Sequence, residues 1–183
     1  QNPEHAFEAG YVLGHFHRMV SDLPCDQLRY ALPGFHVTPG YLAKLDAALA
    51  TPEGQERVQT SPEASRALRF VEERRARCSV LENALKSGEL QLRTTHGDPK
   101  VGNIMIDTAT GRGTCIVDLD TVQPGLVHYD IGDATRSACN PAGEDAPDLA
   151  SVIFDLDLFT AIYRGYRAHA KDFLSPAELK YLY

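Results

Sequence analysis

The sequence predicts a mainly α fold with one small β-hairpin, an α+β class, and three observations predict it. Apolar residues recur at spacings of three and four over several long stretches, the period of an amphipathic helix. Polar–Pro pairs open several of these stretches: Asn2-Pro3, Thr38-Pro39, Ser61-Pro62-Glu63 and Ser175-Pro176-Ala177-Glu178. One β-rich run interrupts them, with Ile104-Met105-Ile106 and Cys115-Ile116-Val117 on either side of the turn-forming residues 108–113.

In chain order, Phe7, Ala9, Val12, Leu13, Phe16 and Val20 predict a helix over residues 3–20. Gly10 and Gly14 fall inside it, where they serve close packing rather than phosphate binding. Residues 23–39, with Pro24, Pro33, Gly34 and Pro39, read as a loop. Thr38-Pro39 caps a second helix carrying Tyr41, Leu42, Leu45 and Leu49. Ser61 starts the longest helix, whose apolar face is Ala64, Leu68, Val71, Cys78, Leu81 and Leu85 and whose stop is Gly88. Its charged run Glu72 to Arg77 is a solvated face. The hairpin follows, then a short helical segment over 131–138 and a loop over 140–147. Leu149, Val152, Ile153, Leu156, Phe159, Ile162, Tyr163 and Tyr166 mark a further helix buried along one side. The last helix begins on the Ser175 capping box and has only two turns of sequence left, so a truncated chain is the expectation.

At 183 residues the chain suits a single domain, residues 1–183. A net charge of −7 disfavours nucleic acid and anionic membrane surfaces as partners. Four cysteines form no Cys-x-x-Cys pair, so neither a zinc site nor a redox motif is signalled, and buried reduced thiols are expected. No apolar stretch approaches the roughly 20 residues of a membrane span, and no signal peptide opens the sequence. A cytoplasmic location is the expectation.

The chemistry concentrates in residues 94–136. His96-x-Asp98-x-Lys100-x-x-Asn103 is followed, beyond the hairpin, by Asp118-x-Asp120 and then by Asp130-x-x-Asp133-x-x-Arg136. A base Asp two residues after a His, an Asn five residues later and a metal Asp past a hairpin form the order used for phosphoryl transfer from ATP. That reaction asks for a carboxylate to take the acceptor hydroxyl's proton and for Mg²⁺ to offset charge on the phosphate oxygens. Asp98 fits the first need. Mg²⁺ takes hard oxygen ligands and keeps several waters, so Asn103 and Asp118 fit the second, provided that the hairpin brings them to one end.

These words resemble the aminoglycoside-phosphotransferase and choline-kinase-like family, which shares the protein-kinase fold and phosphorylates small molecules. His-x-Asp-x-Lys-x-x-Asn, Ile-Val-Asp-Leu-Asp-Thr-Val-x-Pro-Gly-Leu and Tyr-Asp-x-Gly-Asp-Ala-x-Arg are most similar to N-acetylhexosamine 1-kinases. The resemblance implies the C-terminal lobe of a protein-kinase-like fold, with ATP and Mg as cofactors and the anomeric hydroxyl of an N-acetylhexosamine as acceptor. No Gly-rich strand-loop-strand precedes Asp98, so the expectation is that the ATP-covering lobe lies outside this sequence and that residues 1–183 alone show negligible turnover. Asp130 follows Asp118 by only 12 positions, too few for a long regulatory loop, so protein substrates are disfavoured.

Asp98 is therefore the candidate base, with Lys100 beside the transferring phosphate and His96 as the third member of the catalytic set. For His96 a structural role, bonding loop backbone, outweighs proton carriage. Asn103 and Asp118 are the candidate cofactor and metal ligands, and Asp120 either binds a second Mg²⁺ or supports the first from behind. Asp130 is read as a buried carboxylate accepting backbone N–H bonds from the catalytic loop, Asp133 as a helix cap and Arg136 as its ion-pair partner, either of them free to touch substrate. Phe35-His36 either shapes the acceptor pocket or is a surface aromatic pair. Another small acceptor, of aminoglycoside, choline or homoserine type, and a non-catalytic binding or scaffold role are the alternatives. Tyr11, Phe16 and the Ile104–Ile106 strand are candidates for an exposed apolar face that mediates self-association.

Overall fold

The computed structural model describes residues 2–182. Its elements in chain order are helices α1 (Pro3–Met19), α2 (Thr38–Leu49), α3 (Pro52–Thr60), α4 (Pro62–Arg74) and α5 (Val80–Lys86); strands β1 (Arg93–Thr95), β2 (Ile104–Ile106), β3 (Gly113–Ile116) and β4 (Gln123–Gly125); and helices α6 (Val127–Ala138), α7 (Leu156–Ala170) and α8 (Pro176–Lys180). The fold class is the expected one: mainly α with small two-stranded sheets. The described residues form two compact units, Gly34–Leu90 and the remainder on either side of it.

The larger unit is built on α1 and α7. Asn2 caps α1 by accepting the His5 amide, and Pro3 occupies the first turn, where its missing N–H costs nothing. Gly10 and Gly14 let the two backbones approach closely. A Cβ on Gly10 would lie 2.0 Å from the Ile162 carbonyl oxygen, and one on Gly14 would lie 2.6 Å from that of Tyr166. On the facing helix, Gly165 answers with the same closeness to Phe7. Around this contact Leu13, Val127, Ile131, Ala134, Tyr166 and Ala170 form one core cluster, and Ala9, Val12 and Ile104 tie α1 to the hairpin.

Two antiparallel pairs position the site. β1 pairs with β4, Thr94 opposite Pro124, and β2 pairs with β3, Ile104 opposite Ile116. Asp107 closes the β2–β3 turn by accepting the amides of Ala109 and Thr110. At the other end of the larger unit, α8 carries the expected capping box: Ser175 and Glu178 bond each other's backbone amides.

The smaller unit holds α2 to α5. Arg75 bonds Asp46 with both terminal nitrogens and Glu72 through Nε, which leaves the Glu72–Arg77 run a solvated, ion-paired face.

Several expectations needed correction. The long helix from Ser61 breaks into α4, a 3₁₀ turn over Arg75–Arg77 and α5; Cys78-Ser79-Val80 are three weak helix formers in a row, and Ser79 leaves the helical region at φ −108°. The longest helix is α1. Thr38 lies inside α2, whose cap position falls on Val37 with no side-chain bond. The helix expected from Leu149 starts only at Leu156: Asp148 caps a 3₁₀ turn, and Asp155 then caps α7 by accepting the amides of Asp157 and Leu158. Leu149 is 81% exposed, and Val152, Ile153 and Phe154 are exposed with it rather than buried along one side. Helix α3 was not foreseen, although Thr51-Pro52-Glu53 carries the same start signal as Ser61-Pro62-Glu63. Of the cysteines only Cys139 is buried, its thiol pKa pushed up to about 11 by burial and by the charge of Asp155; Cys115 is exposed. Phe16 and Ile104 are core residues, so the proposed exposed face retains only Tyr11 and Met105 as exposed members. Among the described residues no helix is long and apolar enough to cross a membrane.

Candidate active site

The loop after β1 is held from beneath by one buried carboxylate. Asp130, on α6, accepts the His96 amide at 2.6 Å through Oδ2 and the Gly97 amide at 2.9 Å through Oδ1. This is the role foreseen for it. His17 of α1 adds a third bond, Nε2 to Asp130 Oδ2 at 2.8 Å, and its Nδ1 meets the Tyr166 hydroxyl at 2.9 Å. Burial, with the nearby charges of Asp130 and Glu178, raises the Tyr166 pKa well above its ordinary value, so the hydroxyl stays protonated. The tautomer that satisfies both ends takes the tyrosine proton at Nδ1 and donates Nε2–H to Asp130.

His96 is itself fully buried. The Asp98 amide donates to its Nδ1 at 3.3 Å, its Nε2 donates to the Val117 carbonyl at 3.0 Å, and the Thr121 hydroxyl donates to its carbonyl at 2.8 Å. The imidazole thus ties the segment that carries Asp98 to the one that carries Asp118. Gly97 has φ +89°, and a Cβ there would lie 2.6 Å from the Thr121 oxygen; the turn between His96 and Asp98 requires glycine.

At the surface of this platform, Lys100 Nζ donates to Asp98 Oδ2 at 2.5 Å. That bond, with further contributions from the charges of Asp98, Asp118 and Glu144, holds the ammonium above its usual pKa. Asn103 closes the loop: its Nδ2 donates to the Asp98 carbonyl at 2.8 Å and lies 3.4 Å from the Asp98 carboxylate. The hairpin does bring the expected pair to one end, because the Val117 amide donates to the Asn103 carbonyl at 2.9 Å and Asp118 follows directly. Both polar groups of the Val117 backbone are therefore fixed, one by Asn103 and one by His96.

Asp118 sits at φ 65°, ψ 64°, in the left-handed region. Asp is one of the few non-glycine residues that visit this region, whereas a β-branched side chain there would cost on the order of 1–2 kcal/mol. The Asp118 carboxylate and that of Asp120 are exposed and take part in no hydrogen bond or ion pair among the described residues.

The donor set fits Mg²⁺. Commitment of the Asn103 amide nitrogen to Asp98 leaves its oxygen for a ligand, and Asp118 offers an unengaged carboxylate near Lys100. No group of three His, Cys, Asp or Glu side chains among the described residues could hold a metal; this end of the hairpin offers one carboxylate and one amide. Asp120 lies in the 3₁₀ turn Leu119–Thr121 immediately beyond.

Asp133 is not a cap. It lies inside α6, where Oδ1 accepts two bonds from Arg136, and Arg136 reaches Glu144 at 2.6 Å with its remaining nitrogen. Phe35 and His36 lie in the smaller unit, their rings 4.0 Å apart. His17, Tyr166 and Ser137, whose hydroxyl accepts the Val101 amide at 3.2 Å, were not singled out from sequence. Only the adjacency of His17 to the Gly10-x-x-x-Gly14 packing face hinted that it points inward.

A solved structure titled as an aminoglycoside-3'-phosphotransferase of type VIII resembles this chain at 19% identity with a TM-score of 0.49, matching 99% of this chain and 60% of its own length. The chain thus spans about 60% of the length of that protein. The family model described as the phosphotransferase enzyme family matches residues 1–169, and the chain accordingly belongs to that family.

Proposed function

We propose that this chain carries the catalytic half of an ATP- and Mg²⁺-dependent kinase that phosphorylates a hydroxyl of a small molecule, most specifically the anomeric hydroxyl of an N-acetylhexosamine. The observation that carries the reading is the mutual anchoring of Asp98, Lys100 and Asn103, with Asp118 held at the same end of the hairpin. Asp98 orients the acceptor hydroxyl and takes its proton. Lys100, already paired with Asp98, offsets charge on the transferring phosphoryl group. Asn103 and Asp118 would hold Mg²⁺, which supplies charge neutralisation on the phosphate oxygens. His96 moves no proton; buried and bonded at both nitrogens, it fixes the distance between the two working segments. The hexosamine assignment rests on the sequence resemblance in the Asp118–Leu126 and Tyr129–Arg136 words.

The test is a phosphorylation screen of the full-length protein with ATP-Mg²⁺ and a panel of N-acetylhexosamines, aminoglycosides, choline and homoserine. Turnover of an N-acetylhexosamine is the expected result. Turnover confined to another acceptor would retain the mechanism and discard the sugar, and silence across the panel would favour a binding role. Residues 1–183 alone are expected to turn over far below the roughly 1–100 s⁻¹ of typical kinases.

A further inference from the structure

An open cavity of about 440 Å³ lies in the larger unit where three elements meet: the first turns of α1, with Glu4, His5, Phe7 and Glu8; the β2–β3 turn, with Arg112; and α7, with Arg164. Two glycines bring these elements together. A Cβ on Gly165 would stand 2.0 Å from the Phe7 carbonyl oxygen, so α7 lies against α1 there and Arg164, its neighbour in the chain, reaches the start of α1. A Cβ on Gly113 would stand 3.1 Å from the Glu8 carbonyl oxygen, so the hairpin turn lies as close on another side. The Glu8 carboxylate then fixes the turn, accepting the Gly113 amide at 2.8 Å and Arg112 Nη1 at 3.2 Å. Its side chain is 9% exposed, so Arg112 is held from beneath by a buried acid. The strand from Ile104 to Asp107, roughly 10 Å at about 3.3 Å per residue, separates this turn from the end that carries Asn103 and Asp118.

We propose that this cavity is a second binding site, distinct from the Asp98 loop, for a small organic phosphate monoester whose phosphate is gripped between Arg112 and Arg164. The inference goes beyond the kinase reading and does not rest on it. Both guanidiniums are open to a ligand. Arg164 is exposed and takes part in no hydrogen bond or ion pair among the described residues. Arg112 is 75% exposed and gives only Nη1 to Glu8, which leaves the other donors of its five free. Guanidinium forks match phosphate oxygens two at a time. Two forks from separate elements suit the three terminal oxygens and near-double charge of a monoester better than the two oxygens and single charge of a carboxylate. The remainder of the wall selects an ester over the free anion. Glu4 accepts from a hydroxyl or ammonium group, His5 adds a ring nitrogen, and half-buried Phe7 packs against a carbon skeleton. The volume falls within the roughly 300–1,000 Å³ of small-molecule sites, more than an inorganic phosphate fills.

The experiment titrates full-length protein with glucosamine 6-phosphate, AMP and inorganic phosphate, without added metal, and reads binding by calorimetry. Wild type is compared with Arg164→Glu, Arg164→Gln and, as a control at the other end of the hairpin, Asp118→Asn. Arg164 bonds nothing in the fold, so its variants are expected to melt with the wild type. The site predicts that at least one of the two monoesters binds more tightly than inorganic phosphate. It predicts a loss of about tenfold or more in Arg164→Glu, a smaller loss in Arg164→Gln, and no change in Asp118→Asn. Sugar and nucleoside monoesters are told apart by which of the two binds more tightly. Wild-type protein that binds neither monoester, affinities that ignore both Arg164 variants, inorganic phosphate that binds as tightly as either ester, or binding that fails in Asp118→Asn instead would each overturn the proposal. Phosphotransfer is not read, so these results leave the kinase reading untouched.

Discussion

His17 and Asp130, 113 residues apart in sequence, meet at 2.8 Å beneath the His96–Asp98 loop. Asp130 also accepts the His96 and Gly97 amides, so α1 and α6 help to set the position of the Asp98 loop together with its own short strand. Replacing His17 by Ala leaves a buried carboxylate without one donor and opens a cavity. Destabilisation of about 3 kcal/mol is expected, together with loss of phosphotransfer. Tyr166→Phe removes only the outer bond and should cost about 1 kcal/mol. Chemical denaturation of the two variants checks the order, and equal stabilities would dissolve the network as a unit.

Asp118 separates folding from function at one position. Its left-handed backbone suits Gly and Asn better than any branched residue. Asp118→Asn and Asp118→Gly are therefore expected to keep the stability of the wild type within about 0.5 kcal/mol, whereas Asp118→Val should lose about 1–2 kcal/mol. All three are expected to abolish phosphotransfer. A thermal melt beside an activity assay checks this, and an Asp118→Gly protein destabilised as much as the Val variant would show that the carboxylate itself supports the fold.

Acid sensitivity should come in two stages. Burial pushes the His128 pKa below its ordinary value, against the bond from its Nε2 to the Glu178 carbonyl at 2.9 Å. For Glu178, burial alone would raise the pKa, but the hydrogen bonds from Arg93 and Ser175 outweigh it and hold the carboxyl below the usual range. Both folded values lie below the unfolded ones. Protonation therefore favours the unfolded chain, and stability present at neutral pH is lost as pH falls. The first stage starts below about pH 6.5, where His169, also lowered chiefly by burial, adds to it; the second starts below about pH 4.3. Glu178→Gln weakens the lower stage and, because it leaves Arg93 with an uncharged acceptor in place of the carboxylate, should cost about 1–3 kcal/mol at pH 7. Urea midpoints across pH 3–8 measure both stages; a flat profile down to pH 4 would contradict the His128 assignment.

The site was legible where chemistry dictates local spacing. His96-x-Asp98, Asn103 and Asp118 are tied together by a short loop and a hairpin, and Asp130 had a foreseeable task because the loop's amides need a buried acceptor. His17 was not legible, since nothing in a helix's own period says which distant carboxylate it will meet. The same limit hid the β1–β4 pairing: Arg93–Thr95 and Gln123–Gly125 are three residues each, and Pro124 speaks against a strand. In the fold, apolar period misled twice. It ran α4 into α5 across Cys78-Ser79-Val80, and it placed Leu149 to Phe154 in a helix that Asp155 starts afresh. The cavity between Arg112 and Arg164 is a property of packing alone, visible only once Gly113 and Gly165 have brought the hairpin turn and α7 onto α1.

The most direct measurement is the rate of phosphate transfer from ATP-Mg²⁺ to N-acetylglucosamine by full-length wild-type and Asp98→Asn proteins of equal stability. Asp98 acting as the base predicts a fall in kcat of about 10²–10⁴-fold with the KM for ATP little changed. A variant that keeps kcat within threefold of wild type would contradict the assignment of Asp98, and with it the reading of the site.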